Sequence, residues 1–244
     1  MTVLVVGASG ATGRRAVEQL LRRGLEVRII VRSIDSLPPN FISDENLSVV
    51  EASISALSDV ELARHASDCD MLVSCLGHNL SFAGIFGSPR RLVTDATRRL
   101  CDVAKANGRA KPVKFVLMNT TGNSNRDLNE KISFGQKVII WLLRHLLPPH
   151  ADNEDAAEYL RTKVGQNSPS IEWVAVRPDG LIDDVEVSHY ETYPSPIRSA
   201  IFDAGSTSRI NVGHFIADLI TNDDTWKQWK GKMPVIYNAP LIDQ

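Results

Sequence analysis

The sequence has few cysteines, no strong net charge and no long apolar run. Its three cysteines, Cys69, Cys75 and Cys101, are an odd number without a C-x-x-C pair, which argues against a disulfide framework and predicts a reducing, cytoplasmic environment. The net charge of −2 gives no reason to expect nucleic acid or an anionic membrane as a partner. The longest apolar block, residues 138–143, is far shorter than the roughly 20 residues of a membrane-spanning helix. Because the chain enters a strand at once, we also expect no signal peptide.

Length and composition are those of an ordinary globular protein. The 244 residues suffice for one full α/β domain, and the hydrophobic and charged fractions, 43% and 23%, are typical. We therefore expect a single domain over residues 1–244. The histidines lack metal-ligand spacing with cysteines or carboxylates, so we expect no metal site.

The first unit of the chain combines a strand, a glycine-rich turn and a helix. The apolar residues 3–6 lead into glycines at 7, 10 and 13, and a helical pattern of apolar residues follows directly. Gly7 would permit the tight turn, Gly10 would let backbone N–H groups approach a pyrophosphate, and Gly13 would let the helix pack closely on the sheet. The helix N-terminus would face the anion with its partial positive charge. This context predicts a dinucleotide-phosphate loop and not merely a structural turn.

Strands alternate with helical patterns along the first half of the chain. Apolar, β-branched runs predict six strands, at residues 3–6, 27–31, 47–50, 70–77, 113–118 and 171–176. Such alternation implies βαβ units with right-handed crossovers, so we expect a Rossmann-type doubly wound parallel α/β sheet with helices on both faces. Ligands of such sheets sit beyond the carboxyl ends of the strands. Two irregular insertions, about 124–150 and 184–208, are therefore expected to form a small C-terminal substrate-side subregion.

An arginine stands where the second strand ends, at the position that distinguishes NAD from NADP. A carboxylate there would bind the ribose 2′-hydroxyl, whereas an arginine accommodates a 2′-phosphate. Arg32 has this position, and Arg14 in the first helical turn would add a second positive charge. We therefore predict NADP(H) in preference to NAD(H). The alternatives are that Arg32 is a solvated surface residue, or that Asp35, beyond the strand end, binds a ribose.

With several later motifs, these features resemble the atypical short-chain dehydrogenase/reductase superfamily. Within it, the chain resembles the NmrA-like, flavin-reductase and biliverdin-reductase-B-like NAD(P)-binding proteins, and the resemblance covers nearly the whole chain. Its motifs, specific in their order and spacing, are Gly7-Ala-Ser-Gly-Ala-Thr-Gly-Arg14, Val31-Arg-Ser33, Ser74-Cys-Leu-Gly77, Ala157-Glu-Tyr-Leu-Arg161, Val176-Arg-Pro-Asp-Gly-Leu181 and Ser206-Thr-Ser-Arg-Ile-Asn211.

The resemblance implies a set of contacts for each part of the cofactor. The phosphates would be bound at Ser9, Ala11 and Thr12. The ribose and pyrophosphate path would be lined by Leu76 and Gly77, with Cys75 beside them as a small buried residue. Adenine, for which the family commonly supplies an Asp, would here lie against Ser53 and Ile54. The nicotinamide amide would be held by backbone groups of Pro178, Gly180 and Leu181.

Many short-chain dehydrogenases use a Ser after the fifth strand and a Tyr-x-x-x-Lys on the next helix, as acid–base groups. Here Thr120 and Thr121 follow the fifth strand, where a hydroxyl would polarise a substrate oxygen or bind the nicotinamide, or would only cap the exit loop. A Tyr-x-x-x-Lys string occurs at Tyr159 and Lys163, but Lys163 lies too close to Arg177 along the chain. We interpret the string as a coincidence of packing and solvated helix residues.

The usual positions of that tyrosine and lysine fall instead on His150 and Glu154. His150 is a candidate proton donor because imidazole titrates near neutrality, although its place after two prolines is more typical of a surface loop. His78, beside Gly77, is expected near the cofactor. The apolar residues of segment 134–147 are expected to form core and pocket wall, a dimer contact being the alternative. Other candidates for the pocket are Phe82, Phe86 and Tyr190.

Without a well-placed tyrosine and lysine, the sequence favours direct hydride delivery, which demands mainly proximity and orientation from the protein. We predict an NADPH-dependent oxidoreductase acting on a small conjugated or aromatic acceptor of flavin, quinone or carbonyl type. The alternative is a non-catalytic, NmrA-like redox sensor that binds NADP(H) and signals through a partner. A sugar-nucleotide epimerase or dehydratase is a third reading, but it would need a correctly placed tyrosine and a larger second lobe. The sequence allows a monomer or a homodimer.

Overall fold

A central eight-stranded sheet organises the fold in the computed structural model, which describes residues 1–78, 87–130 and 133–239. The strands of the described chain are β1 (Thr2–Val6), β2 (Glu26–Val31), β3 (Leu47–Glu51), β4 (Met71–Ser74), β5 (Val113–Met118), β6 (Ile171–Pro178), β7 (Gly180–Ile182), β8 (Tyr190–Tyr193), β9 (Ser206–Ser208) and β10 (Val235–Asn238). Strands β7 and β9 pair separately as a two-stranded parallel sheet.

The strand order confirms the predicted Rossmann-type architecture. The large sheet has the order β3-β2-β1-β4-β5-β6-β10-β8, and its strands are parallel except that β8 is antiparallel to β10. The six predicted strands are the first six of the chain, although β4 is shorter than expected. The order reverses between β1 and β4, and in open α/β sheets such a reversal opens a crevice at the carboxyl ends of the strands.

Helices cover both faces of the sheet, as predicted. They are α1 (Ala11–Arg22), α2 (Pro39–Ile42), α3 (Asp59–Ala66), α4 (Leu92–Ala106), α5 (Phe134–Leu146), α6 (Pro148–Tyr159), α7 (Arg209–Thr221) and α8 (Asp223–Trp229). A 3-10 turn spans Ile34–Ser36, and a π-helical turn, Leu160–Val164, continues α6. Local sequence sets several helix starts: Ser58 accepts the N–H of Glu61, whose carboxylate accepts the N–H of Ser58, forming a capping box on α3.

The core consists of two layers, one on each side of the sheet. Helices α1, α7 and α8 pack on one face through residues such as Leu20, Phe215 and Trp226. Helices α3, α4 and α6 pack on the other through residues such as Leu62 and Leu100. The two layers fix the positions of the strand ends, where the predicted ligand-binding residues lie.

The two insertions, which we expected to be irregular, contain regular secondary structure. Segment 184–208 supplies β8, an edge strand, and segment 124–150 supplies α5. The expectation that α5 is core was wrong, because Gln136 is its only buried residue and Trp141 is 58% exposed. Its apolar surface is broad, but only one side of it meets the rest of the protein.

Two further expectations concern aromatic residues and membranes. Tyr190 lies against His214 and Asp218 rather than in a pocket with α5, its hydroxyl being 2.8 Å from His214 Nδ1 and 3.0 Å from Asp218 Oδ2. Phe82 and Phe86 lie outside the described residues.

Within the described ranges, no helix has both the length and the apolarity needed to cross a membrane.

Candidate functional site

The glycine loop is a tight turn against the backbone of the neighbouring strand β4. The N–H of Gly10 donates to the carbonyl of Gly7 at 3.1 Å. Gly7 has a φ of 79°, and a Cβ there would lie 2.5 Å from the Cys75 carbonyl group. A Cβ on Gly13 would collide with the Gly7 carbonyl oxygen, so α1 reaches the sheet only because this residue is glycine. The backbone therefore fits the close approach that a dinucleotide phosphate requires.

A cavity of about 370 Å³, here called the first cavity, opens beside this loop. It gathers residues that follow four strands, since the carboxyl ends of parallel strands meet at one edge of the sheet. Of the predicted cofactor residues it is lined by Gly7, Ser9, Gly10, Arg32, Ser53, Ile54, Cys75, Leu76 and Gly77. His78 lines it as well, in agreement with its expected place near the cofactor.

The remaining predicted phosphate-binding residues lie in the first turn of α1. Thr12 and Gly13 are buried there, whereas Ala11 and Arg14 are exposed. The Arg14 Nε donates to the carbonyl of Ser9 at 2.9 Å, which holds a positive charge next to the loop. These side chains lie at the helix N-terminus, where an anion is favoured.

Arg32 is an exposed side chain at the rim of the first cavity. In the part of the chain that the structure describes, it has neither an ion-pair nor a hydrogen-bond partner. The nearby carboxylate of Glu51 accepts the N–H of Ile34 at 3.2 Å. The Arg32 guanidinium is therefore available to an external anion at the end of β2.

A second cavity, of about 380 Å³, lies at the ends of β5 and β6. Its polar wall comes from the strand exits and the start of α6, and its apolar wall comes from α5 and the segment 200–204. It is lined by Asn119, Thr120, Thr121, Gly122, Ile140, Leu143, His150, Pro178, Asp179, Gly180, Leu181, Ala200, Ile201 and Ala204. The predicted nicotinamide segment and the candidate catalytic threonines thus share one cavity, and α5 walls it as expected.

The two threonines of the second cavity have different hydrogen bonds. The Thr121 hydroxyl donates to Asp179 Oδ1 at 3.1 Å, so its proton is used within the protein. The Thr120 hydroxyl accepts the N–H of Gly122 at 3.3 Å, which leaves its own proton for a ligand. Thr120 is therefore the better placed of the two to polarise a substrate oxygen.

Asp179 is a residue that sequence reasoning missed, although it lies inside the quoted motif of residues 176–181. Its carboxylate is buried and accepts the Thr121 hydroxyl and, at 2.8 Å, the N–H of Gly205. It therefore joins the exits of β5 and β6 to the loop before β9.

His150 lies in the wall of the second cavity and not on the open surface, contrary to the interpretation of its proline-rich context. A Cβ built on Gly122 would lie 3.2 Å from its Cε1 atom, and its Nε2 atom is buried without a hydrogen-bond partner. Burial lowers the pKa of the imidazole below its ordinary value of 6.5, against the opposing effect of Glu154. The two prolines form the first turn of α6, a position typical of proline, so His150 is a helical residue.

Tyr159 and Lys163 are placed apart from both cavities. The Tyr159 hydroxyl donates to Asp102 of α4 at 3.5 Å, and the Lys105 Nζ lies 5.8 Å from its ring centre. Burial raises the pKa of Tyr159 to about 12. Lys163 is exposed in the π-helical turn. This placement supports the interpretation of the Tyr-x-x-x-Lys string as a coincidence.

A buried carboxylate on α6 links the two cavities. Asp152 lies 2.8 Å from His78 Nε2 and accepts the N–H groups of Val93 and Thr94 at 2.7 and 2.9 Å, which caps α4. Helix α6 therefore contacts the wall of the first cavity through Asp152 and presents His150 to the second. No local sequence signal indicates this link, because it depends on the packing of α6 against α4.

The remaining groups that could react or bind a metal are the cysteines, the histidines and the carboxylates. Cys75 is buried in the wall of the first cavity, and burial raises the pKa values of Cys69, Cys75 and Cys101 to about 12. These thiols are inert packing residues rather than nucleophiles. The described ranges contain no group of three or more His, Cys, Asp or Glu residues that could hold a metal ion.

Comparison with known proteins identifies a family and several structural neighbours. A family described as NAD(P)H-binding matches residues 7–223. An uncharacterised chloroplastic protein of Arabidopsis thaliana is 34% identical over 118 residues, which are 48% of this chain and 40% of the plant protein. The match thus spans well under half the length of that relative.

Solved structures with the same fold are far more distant in sequence. A short-chain dehydrogenase/reductase from Veillonella parvula, in complex with NADP, has a TM-score of 0.70 at 17% identity and covers 98% of this chain and 95% of its own. ChuY, an anaerobilin reductase from Escherichia coli O157:H7, has a TM-score of 0.67 at 16% identity, over all of both chains. An oxidoreductase from Lactococcus lactis has a TM-score of 0.69 at 16% identity and covers 98% and 91%.

Proposed function

This chain belongs to the NAD(P)H-binding family, and we propose that it is an NADPH-dependent reductase of a small conjugated or aromatic acceptor of flavin, quinone or carbonyl type. The observation that carries this proposal is the second cavity. It places an available hydroxyl, that of Thr120, among apolar walls and directly beside the residues expected to hold the nicotinamide. An apolar pocket with few convergent polar groups is the usual form of a small-molecule site.

The preference for NADPH rests on Arg32. Its guanidinium is free of protein partners in the described chain and lies at the rim of the first cavity, where the 2′-phosphate of NADPH would lie. Arg14 adds positive charge on the other side of the glycine loop. A planar guanidinium binds phosphate through two parallel hydrogen bonds, and it offers no comparable gain to a ribose hydroxyl.

The residues of the second cavity suit an acceptor that needs orientation more than acid–base machinery. When bound, the cofactor supplies the hydride. Ile140, Leu143 and Ile201 would exclude water and hold a flat ring, while Thr120 would donate to an oxygen of the acceptor. Holding donor and acceptor in a reactive geometry supplies a large part of the rate of such transfers. One structural neighbour, ChuY, is an anaerobilin reductase, which accords with a conjugated acceptor.

The proposal is tested with purified protein, NADPH and a panel of FMN, a quinone and an aromatic aldehyde. We expect NADPH oxidation that depends on the acceptor and saturates with it. Binding of NADPH is measured separately by its fluorescence. Tight NADPH binding without oxidation by any acceptor would overturn the reductase proposal.

That outcome would favour the second candidate, a redox sensor that binds NADP(H) without turnover. One observation supports it: the Tyr159 hydroxyl and Lys163, whose residue types serve catalysis in relatives, lie apart from both cavities. A sensor would change its hydrodynamic size or protease sensitivity between NADPH and NADP⁺, a difference that a simple reductase does not require.

A further inference from the structure

Two polar atoms on α6 are buried without hydrogen-bond partners. They are His150 Nε2 and Glu154 Oε2, one a nitrogen of a titratable ring and the other a carboxylate oxygen. The two residues are four positions apart on one helix, so their side chains share a face. Orphaned buried polar atoms are costly and rare, and each calls for an explanation.

The rest of the Glu154 carboxylate is held from two sides. Its Oε1 atom accepts from Arg126 at 2.7 Å and from Arg144 of α5 at 3.1 Å. These contacts fix the carboxylate one helical turn from the imidazole while leaving Oε2 unpaired. A carboxylate that is held in place and has an unpaired oxygen can stabilise a neighbouring imidazolium.

The imidazole atoms Cε1 and Nδ1 lie near Gly122, at the polar end of the second cavity. A Cβ on Gly122 would lie 3.2 Å from His150 Cε1, 3.7 Å from its Nδ1 and 3.7 Å from the Thr120 hydroxyl. The ring and the hydroxyl therefore both lie within 3.7 Å of the same point. A single acceptor oxygen beside Gly122 would be within reach of both groups.

We propose that His150 is the proton donor to acceptors whose reduction creates a basic oxygen, and that Glu154 is the positioning residue for its imidazolium. This inference rests on the proposed reductase function and assigns its proton. It also defines an acceptor class, carbonyl compounds, within the broader panel. According to the resemblance described above, the pair stands where many short-chain dehydrogenases have tyrosine and lysine, but it would use a different acid.

For an aromatic aldehyde, the step transfers one hydride to carbon and one proton to oxygen. The carbonyl carbon receives the hydride and forms a C–H bond, the C=O π bond breaks, and its electron pair moves to the oxygen. The oxygen takes the proton of the His150 imidazolium while Thr120 donates a hydrogen bond to it. The products are an alcohol and NADP⁺, and neutral His150 is protonated again from water.

The charged surroundings of His150 determine how its acidity responds to substitution. Glu154 raises the pKa of the imidazole, whereas burial and Arg144 lower it. Arg126 acts through its contact with Glu154, and the carboxylate of Asp179 lines the same cavity from the β6 side. The donor must be protonated, so turnover of the aldehyde falls as pH rises through the pKa of His150.

The first experiment compares two acceptors in His150→Gln. Hydride transfer to FMN yields a reduced flavin anion that is stable without a proton donor, whereas the aldehyde yields an alkoxide that needs one. We expect the ratio of aldehyde to FMN turnover to fall about 100-fold, the lower range for loss of a general acid. NADPH fluorescence checks that the cofactor site is intact. His145→Gln, an exposed histidine of α5, is the matched control.

The second experiment follows the pH profile of aldehyde turnover in two charge variants. Glu154→Gln removes the charge that raises the pKa of His150, so its falling limb moves to lower pH. Arg144→Gln removes a charge that lowers it, so the limb moves to higher pH. Opposite shifts of this kind are not expected from a merely structural role, and they keep the inference testable if His150→Gln fails to fold.

The outcomes separate the two proposals. Unchanged limbs in both charge variants, or an equal loss for both acceptors in His150→Gln, would overturn the assignment of His150. A wild-type protein that reduces FMN but no aldehyde would overturn the inference while supporting the reductase. A wild-type protein that binds NADPH and reduces nothing would overturn the reductase itself, and the inference with it.

Discussion

The guanidinium of Arg177 and the carboxylate of Glu130 form a buried ion pair with two contacts, at 2.7 and 3.2 Å. Their side chains are 0% and 4% exposed. Arg177 also donates to the carbonyls of Asn123, Met233 and Pro194 at 2.7–3.2 Å. One side chain of β6 thus holds three loops around the end of the sheet where the second cavity lies.

The first prediction concerns this ion pair. Arg177→Met leaves Glu130 charged and buried without its partner, which is expected to cost about 3–5 kcal/mol of unfolding free energy. Urea unfolding followed by circular dichroism measures the loss. The double variant that also carries Glu130→Met should recover part of it, because no buried charge remains. Equal stability of wild type and Arg177→Met would contradict this account of the loops.

The second prediction concerns cofactor preference. Arg32→Ala should weaken NADPH binding about 10- to 100-fold, the range expected when a charged hydrogen bond is lost, and should leave NADH binding unchanged. Fluorescence titration with both cofactors measures the two affinities. Arg22→Ala, an exposed arginine of α1 that pairs with Glu18, is the control. An Arg32→Ala protein with wild-type NADPH affinity would show that this side chain is only a solvated surface residue.

The third prediction separates the two threonines. Thr120→Val removes a hydroxyl whose proton the protein does not use and whose oxygen accepts only the 3.3 Å bond from Gly122, so carbonyl turnover should fall about 100-fold, as for a lost oxyanion donor, with a smaller loss of stability than Thr121→Val. Thr121→Val leaves a buried Asp179 oxygen unpaired and should cost about 1–3 kcal/mol of unfolding free energy. Steady-state kinetics and urea unfolding of both variants are compared. The reverse assignment of effects would show that Thr121 is the residue that contacts the acceptor.

The fourth prediction concerns the thiols. Burial raises their pKa values to about 12, so at pH 8 the native protein should hold almost no thiolate. Ellman's reagent should therefore react very slowly with the folded protein and should titrate three thiols in guanidinium. Rapid reaction of one thiol in the folded state would show that the segment around that cysteine opens in solution.

Local signals in the sequence were sufficient for the fold and for most of the residues that line the first cavity. The glycine spacing, the composition of the strands and the place of Arg32 after β2 can all be read from short stretches of sequence. Parallel strands then bring their carboxyl ends together by geometry alone. Residues predicted one strand at a time therefore assembled at one edge. The shorter strands β7–β10 depend on distant partners and carried no comparable signal.

The candidate acceptor site was less predictable because its residues depend on tertiary packing. A proline pair before a histidine is typical of a surface loop, yet prolines also suit the first helical turn, and the packing of α6 brings the His150 imidazole into the cavity wall. Asp152 shows the same limit, since its partners come from β4–α4 and not from α6. The apolar pattern of α5 predicted that this helix walls a pocket, but the pattern did not reveal which face of the helix stays exposed.

The exposure of α5 has a consequence for how substrate range can change. The walls of the second cavity at the ends of β5 and β6 also contain the residues expected to contact the nicotinamide. Helix α5 supplies Ile140 and Leu143 to the apolar wall and contributes little to the core. Replacing those two side chains is therefore expected to reshape the second cavity with little effect on the sheet. Strand ends thus shape one side of the second cavity and a largely exposed helix shapes the other, so under the proposed function α5 is the segment where we expect substitutions to change the range of acceptors.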